Sequence, residues 1–205
     1  MSAGHPSQQP PRPAAANKPG HLFIVSAPSG AGKSTLCQAV RERLEDLHYS
    51  VSYTTRAMRA NEVDGVHYHF ISDKEFRDGI RQNRWAEWAR VHDHLYGTAK
   101  ADLDRIMAGG GDVLLDIDVQ GARQLVERYP DCATIFILPP SLDILKQRLA
   151  ERATDPQQTI ALRLKNAEKE MAAKEAYQHI IVNANLDRAV DELAEIILRH
   201  RKERR

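Results

Sequence analysis

The stretch "HLFIVSAPSGAGKSTL" (residues 21–36) decides the fold. Its first part, "LFIV" (22–25), is a continuous run of β-branched, aliphatic and aromatic residues, the composition of a strand covered on both faces. Then Gly30 and Gly32 stand beside Lys33, Ser34 and Thr35. Behind them the spacing turns helical, with Leu36, Val40, Leu44 and Leu47 predicted to mark one face. The nearest pattern is G-x-x-x-x-G-K-[ST], a phosphate-binding loop. Gly32, Lys33 and Ser34 fit it. Ala27 replaces the first glycine, at a position that needs a small residue more than a flexible one. Two glycines after a strand also make a plain tight turn. The helix behind them favours the loop, because successive backbone N–H groups and a helix N-terminus concentrate positive potential on a phosphate chain. Ala27, Pro28, Ser29, Gly30, Ala31, Gly32, Lys33, Ser34 and Thr35 are therefore the candidate binding loop. Lys33 is expected to reach the outer phosphates, and Ser34 to hold Mg²⁺ through its hydroxyl.

Outward from the loop, the same rhythm repeats. "GGGDVLLDIDVQG" (109–121) reads as turn, buried strand and helix start, and "ATIFILPP" (133–140) as a buried strand stopped by two prolines. "SLDILKQRLAERA" is a helix with Ser141 as cap, followed by the long charged helix "TIALRLKNAEKEMAAKEAY". "HIIVN" (179–183) is a last strand, and Asp187 is expected to cap a final helix with Val190, Leu193, Ile196 and Ile197 in one stripe. Strands alternating with helices predict an α/β fold, a parallel sheet flanked by helices. The stretch from about 50 to 100 breaks the rhythm. "SVSYTTR" (50–56) and "HYHFI" (67–71) look like short, half-polar strands, and "DKEFRDGIRQNRWAEWA" (73–89) reads as one helix from Asp73. This stretch is expected to be an inserted subdomain.

Composition narrows the function. The 205 residues suit one large domain or a core with an insertion. The 28% charged residues nearly cancel to a net charge of +1, so no positive field points to nucleic acid. The apolar runs are about a strand long, short of the roughly 20 residues that span a bilayer. Cys37 and Cys132 lack zinc-type or redox-type neighbours, which fits reduced thiols in a cytoplasmic protein. Residues 1–20 hold five prolines and no apolar secretory segment, and read as a disordered tail.

Further constellations each admit a plain reading. Asp116 and Asp118 in "VLLDID" end a buried strand, where a carboxylate either caps the strand end or steers Mg²⁺ and its waters. Arg56 and Arg59, with Tyr68 nearby, are either a solvated face or a clamp for a second phosphate, since guanidinium forks match phosphate oxygens. "EWARVHDHLYGT" offers Glu87, Tyr96 and Thr98; from its own window Glu87 reads as an exposed helix carboxylate. Arg148, Arg152 and Arg163 either solvate a helix or neutralise a transferring phosphoryl group. His67 with His69, and His92 with His94, lack the spacing of a zinc site and read as strand-face histidines.

"SAPSGAGKSTL", "SVSYTTRAMR", "EVDGVHYHF", "EWARVHDHLYGT", "LLDIDVQGA" and "ILPPS" stand together in an order and spacing that resemble the guanylate kinases, P-loop nucleoside monophosphate kinases, over nearly all of residues 20–200. The combination is far more specific than the loop alone. The resemblance implies a three-layer parallel-sheet core (21–50, 100–149 and 173–203), a mixed α+β GMP-binding subdomain (about 51–99) and a helical lid (about 150–172). It implies transfer of the γ-phosphoryl of ATP to GMP, and to dGMP, with Mg²⁺, in purine nucleotide metabolism in the cytoplasm. By resemblance Ser52, Arg56, Arg59, Tyr68 and Tyr96 surround the GMP phosphate. Glu87 and Thr98, with Ser52, face the guanine, and Asp116 and Asp118 join this set with their roles open. Arg148, Arg152 and Arg163 would sit around the transferring group, with Lys33 and Arg56 counted among the catalytic residues. The sequence departs from the family at "MRANE", at Ala153 and at Ala184–Asn185. ATP and GMP are the implied partners, with neither nucleic acid nor membrane, and a homo-oligomer is compatible with the sequence. Two other readings are a non-catalytic guanylate-kinase-like binding module and a kinase for a phosphorylated ribose; the first usually has a degraded phosphate loop, and the second has no need of the guanine-facing residues.

Overall fold

The structure is a computed structural model describing residues 18–91, 93–151 and 157–204, without the side chains of 151, 157–163 and 204. The tail at 1–17, His92, Arg152 and the side chain of Arg163 lie outside the described residues.

In chain order the elements are β1 (Leu22–Ser26), α1 (Lys33–Arg43), β2 (Leu47–Tyr49), β3 (Tyr53–Thr54), β4 (His69–Phe70), α2 (Asp73–Arg81), β5 (Trp85–Val91) and β6 (His94–Ala99). They continue with α3 (Lys100–Ala108), β7 (Asp112–Asp116), α4 (Val119–Arg128), β8 (Ala133–Leu138), α5 (Leu142–Glu151), α6 (Gln157–Met171), β9 (His179–Val182) and α7 (Leu186–Arg204). Five strands pair in parallel in the order β2-β7-β1-β8-β9. β1 is central, and alternation along it builds both layers of core. Phe23 and Val25 face α1 and α7, packing with Leu36, Val40, Leu193 and Ile197. Leu22 and Ile24 face the other way, onto Leu103 of α3 and Leu125 of α4. Every residue of β1 is buried, and each such Leu, Ile or Phe contributes about 1.5–3 kcal/mol. That is why the run lacks polar alternation. In a parallel sheet of this order, connections leave the central strand toward opposite sides, and the crevice beyond the strand C-termini is the natural ligand site.

A second sheet, β4-β3-β6-β5, carries the inserted segment. β3 pairs parallel to β4 and antiparallel to β6, so the sheet is mixed. Phe76 and Trp85 stack at 4.4 Å in its own small core with Leu95 and Ala99.

Several local expectations are corrected. The predicted helix over 73–89 ends at Arg81, where Ser72 caps the start by accepting the Glu75 N–H at 3.1 Å. Asn83 then turns through a left-handed φ of 51° and β5 begins. Phe76, Ile80 and Trp85 come close to helical spacing, but Trp85 instead folds back, its Nε1 donating to Phe76 O at 3.1 Å. Glu87 is consequently a strand residue. The first helix stops at Arg43, and Leu47 opens β2 beside Asp112 of β7 rather than extending the helix face. The strands expected at 50–56 and 67–71 are only two residues each, Tyr53–Thr54 and His69–Phe70. The long charged helix ends at Met171 in a 3₁₀ turn, Ala172–Ala176. Asn185, not Asp187, caps α7 by accepting the Arg188 N–H at 3.0 Å; Asp187 lies in the first turn. Ser141 does cap α5, accepting the Ile144 N–H at 3.2 Å. No helix among the described residues is long and apolar enough to cross a membrane.

Candidate functional site

The loop between β1 and α1 folds back on itself, Ala31 N–H donating to Pro28 O at 3.1 Å. Gly30 and Gly32 take φ of 91° and 90°, the left-handed region where a side chain is strained. Gly32 is also hemmed in: a Cβ there would lie 2.5 Å from Asn183 Nδ2. Buried Asn183, just past β9, donates from Nδ2 to Ala31 O at 2.9 Å. Arg148 of α5 braces the same spot, its Nη1 donating to Ala31 O at 3.3 Å and its Nη2 to Asn183 O at 3.2 Å. Ala27, the substitute for the first glycine, is buried in the core.

Lys33 opens α1 and reaches back to the C-terminal end of β7. Its Nζ donates to Ile117 O at 2.9 Å and forms an ion pair with Asp116. Burial lowers its pKa, but the charge and hydrogen bond of Asp116 outweigh that, so the ammonium is held above its usual range. Ser34 Oγ donates to Asp116 Oδ2 at 2.9 Å. The two acids therefore differ in role. Asp116 gathers Lys33 and Ser34, whereas Asp118 caps α4 by accepting the Gly121 N–H at 2.8 Å. Asp118 is thus a helix cap rather than a strand-end cap, and it lines the same cavity as Asp116.

A cavity of about 410 Å³ runs from this cluster to the second sheet. Ser29, Lys33 and Ser34 line one side, Ser52, Tyr68, Glu87 and Tyr96 the other, with Asp116 and Asp118 between them. Glu87 on β5 lies directly across from Thr98 on β6, whose hydroxyl donates to Glu87 Oε1 at 2.7 Å. Glu87 is only 5% exposed, and that burial pushes its carboxyl up to about 7 against the pull of the Thr98 hydroxyl. α4 packs on β5, with Trp88 and Gln124 exchanging backbone-to-amide hydrogen bonds. The approach is close at Gly121, where a Cβ would stand 2.6 Å from Glu87 Oε2. Gly121→Ala is therefore expected to raise KM for a substrate held at Glu87 by roughly tenfold through displaced geometry. In a helix interior the same change otherwise stabilises by about 1 kcal/mol. A higher Tm with an unchanged KM would mean that Glu87 moves aside freely.

Arg56 stands beside Tyr68 of this lining, its guanidinium 5.5 Å over the ring, and Tyr68 meets Tyr96 edge-on at 5.8 Å. Arg56 is gripped by Glu62, a residue that sequence reasoning missed. Nη1 and Nη2 donate to its two oxygens at 2.9 and 2.6 Å, and the Arg59 backbone N–H donates to Oε2 at 2.8 Å. The Arg56 hydrogen bond, then the Arg59 N–H, bring the Glu62 carboxyl down to about 2. The available signal was a carboxylate three residues after Arg59 in "RANE". The Arg59 side chain is exposed. A second residue missed is Glu170 of α6, which accepts the Ser29 N–H at 3.2 Å. Nothing local announced it. His67 Nδ1 accepts the Val63 N–H at 3.0 Å and His69 stacks on Tyr53 at 4.5 Å, so both histidines have local structural work.

Residues 20–200 match the family model described as guanylate kinase. A guanylate kinase of Syntrophotalea carbinolica is 49% identical, the match covering 87% of this chain and 85% of its own length. One from Helicobacter pylori is 45% identical over 82% of each chain. The crystal structure of guanylate kinase from Anaplasma phagocytophilum superposes with a TM-score of 0.74 at 30% identity, covering 90% of this chain and 87% of that one.

Proposed function

The chain belongs to the guanylate kinase family, and we propose from that premise how its residues divide the work of moving the γ-phosphoryl group of ATP to GMP. The reaction gives ADP and GDP. One observation carries the residue assignment: a single cavity is lined by the phosphate loop at one end and by Glu87, Tyr68 and Tyr96 at the other. Phosphoryl transfer asks little covalent chemistry of a protein. It asks for two phosphates held in line and for cations that spread the developing charge.

The loop amides from Ser29 to Ser34 and the α1 N-terminus bind the ATP phosphates. Lys33 sits on the outer phosphates, its charge secured by Asp116. Arg56 and Arg59 clamp the GMP phosphate with Tyr68 and Tyr96, and Glu62 holds the Arg56 fork in place. Glu87, Thr98 and Ser52 read the guanine. Guanine presents two donors on one edge, N1–H and the 2-amino group, and a carboxylate accepts both. Adenine has an acceptor at N1 and opposes it. Arg148 serves the transferring group, its bonds to Ala31 O and Asn183 O tying it to the loop; the family resemblance assigns Arg152 and the side chain of Arg163, which lie outside the described residues, to the same role. Ser34 Oγ and the Asp116 carboxylate, 2.9 Å apart beside the loop, are hard oxygen donors of the kind that suit Mg²⁺. When bound, Mg²⁺ neutralises phosphate charge. The subdomain at about 51–99 is the GMP-binding unit and the segment at about 150–172 the lid, in a cytoplasmic enzyme.

A coupled ADP-release assay with GMP, dGMP, AMP and a ribose bisphosphate tests this. Turnover with GMP and dGMP and little with the other two is expected. Turnover with the ribose bisphosphate but not GMP would mean a different acceptor, and no turnover at all would mean a binding module.

The phosphate clamp has its own test. Arg59→Met is expected to raise KM for GMP tenfold or more while KM for ATP barely changes, since a charge-assisted hydrogen bond is worth about 1.5–3 kcal/mol. Varying each substrate in turn measures the split. Equal effects on both would make Arg59 structural.

A further inference from the structure

Near the end of α6, Glu170 Oε2 accepts the backbone N–H of Ser29 at 3.2 Å, a contact between groups 141 residues apart in the chain. The donor belongs to a loop whose amides are built for phosphate oxygens. Glu170 also lines, with Gly30, Lys33, Ser34 and Asp118, the cavity of about 270 Å³ at the mouth of that loop. We propose that Glu170 is a built-in competitor for the triphosphate site: its carboxylate stands on the Ser29 amide where a phosphate oxygen of ATP binds, and ATP must displace it. The proposal rests on the reading of residues 27–35 as the ATP phosphate site.

Three observations converge on it. A carboxylate and a phosphoryl group are both oxyanions, so one N–H cannot serve both closely, and like charges a few ångström apart repel. The site already strains the carboxylate: burial, and then the Asp118 charge, raise its pKa, against the Ser29 N–H and Lys33, which lower it. Finally, α6 is mechanically joined to the loop. Its Leu164 and Ala167 pack on Leu145 and Leu149 of α5. Those two leucines lie directly under the loop, since a Cβ on Gly30 would be 3.0 Å from a methyl carbon of each. When ATP takes the Ser29 amide, Glu170 leaves it, and the helix that carries Glu170 registers that the loop is filled. Glu170 is not among the residues lining the larger cavity toward Glu87 and Tyr96, which makes GMP the control ligand.

The effect is a conformational handicap on ATP binding. If Glu170 holds the amide in about four of every five molecules, apparent affinity is about fivefold below the intrinsic value. Titration calorimetry of the full chain, Glu170→Gln and Glu170→Ala tests this with ATP, with inorganic tripolyphosphate as a base-free probe, and with GMP as control. ATP and tripolyphosphate are expected to bind about fivefold tighter in both variants, with the gain shrinking as salt screens the charge and GMP affinity unchanged. A gain in Glu170→Ala alone would assign the handicap to the hydrogen bond rather than the charge, and still support displacement. Unchanged or weaker ATP binding in both variants, with normal binding by the unaltered chain, overturns the proposal. No binding of ATP or tripolyphosphate by the unaltered chain would overturn the phosphate-loop reading itself, and the proposal with it.

Discussion

Lys33→Ala is expected to lower turnover with ATP and GMP by about 10³-fold, roughly 4 kcal/mol of transition-state stabilisation, while the protein stays folded. The ammonium has three donors, and its two partners, Ile117 O and Asp116, leave one for an outer phosphate oxygen. Asp116 keeps Lys33 charged in spite of burial, so the cation is present across the working pH range. The variant also bares Asp116, whose side chain is only 8% exposed and keeps the Ser34 hydroxyl as a partner. A buried carboxylate that loses its cation but keeps one hydroxyl donor costs about 1–3 kcal/mol, so Tm is expected to fall by several degrees without loss of the fold. Thermal melting followed alongside the ADP-release assay separates the two effects. Lys33→Arg is not expected to restore the rate, because a planar fork does not replace a compact ammonium in this space. Near-normal turnover in Lys33→Ala would remove Lys33 from the reaction.

What the sequence discloses depends on how far apart the interacting groups lie in the chain. "LFIV", "VLLD" and "TIFIL" are legible as buried strands because each is apolar on both faces, a property of one short window. Lys33 and Ser34 are legible for the same reason: loop, lysine and hydroxyl are contiguous. Strand order is not local. β1 pairs with strands beginning at Asp112 and Ala133, and nothing near residue 22 names them. The failure at Trp85–Val91 has the same origin. Its window holds Phe76, Ile80 and Trp85 at near-helical spacing, and only pairing with β6 and stacking on Phe76 make it a strand. That error carried Glu87 with it, from an exposed helix carboxylate to one buried opposite Thr98. Glu62 was half legible, since it lies within six residues of the arginine that it grips, whereas the contact of Glu170 with Ser29 could be seen only once the chain was folded.

Glu87→Gln is expected to lower kcat/KM for GMP by about 10²-fold, on the order of 3 kcal/mol, and to narrow discrimination against AMP. The amide keeps the shape but replaces one acceptor with a donor, so one guanine donor meets another donor in a site with little water to rescue it. Adenine bonds readily to an amide, which is why the AMP penalty shrinks. ATP binding changes little, because the phosphate loop lies at the other end of the cavity. The pH dependence gives an independent check. Burial raises the Glu87 carboxyl to about 7, and guanine prefers the ionised form. GMP affinity therefore rises as pH climbs through about 7, with a proton released on binding. Stability of the free protein moves the opposite way. A carboxyl raised on folding contributes stability that is full below its unfolded pKa of about 4.3 and is lost as pH passes its folded value. The GMP phosphate itself titrates near pH 6, at about the second phosphate pKa, but does so equally in both proteins. The difference between the Glu87 and Glu87→Gln profiles isolates the carboxylate. A flat difference profile, together with an unchanged GMP-to-AMP ratio in kcat/KM, would place Glu87 outside the base pocket and leave Thr98 and Ser52 to explain the choice of guanine.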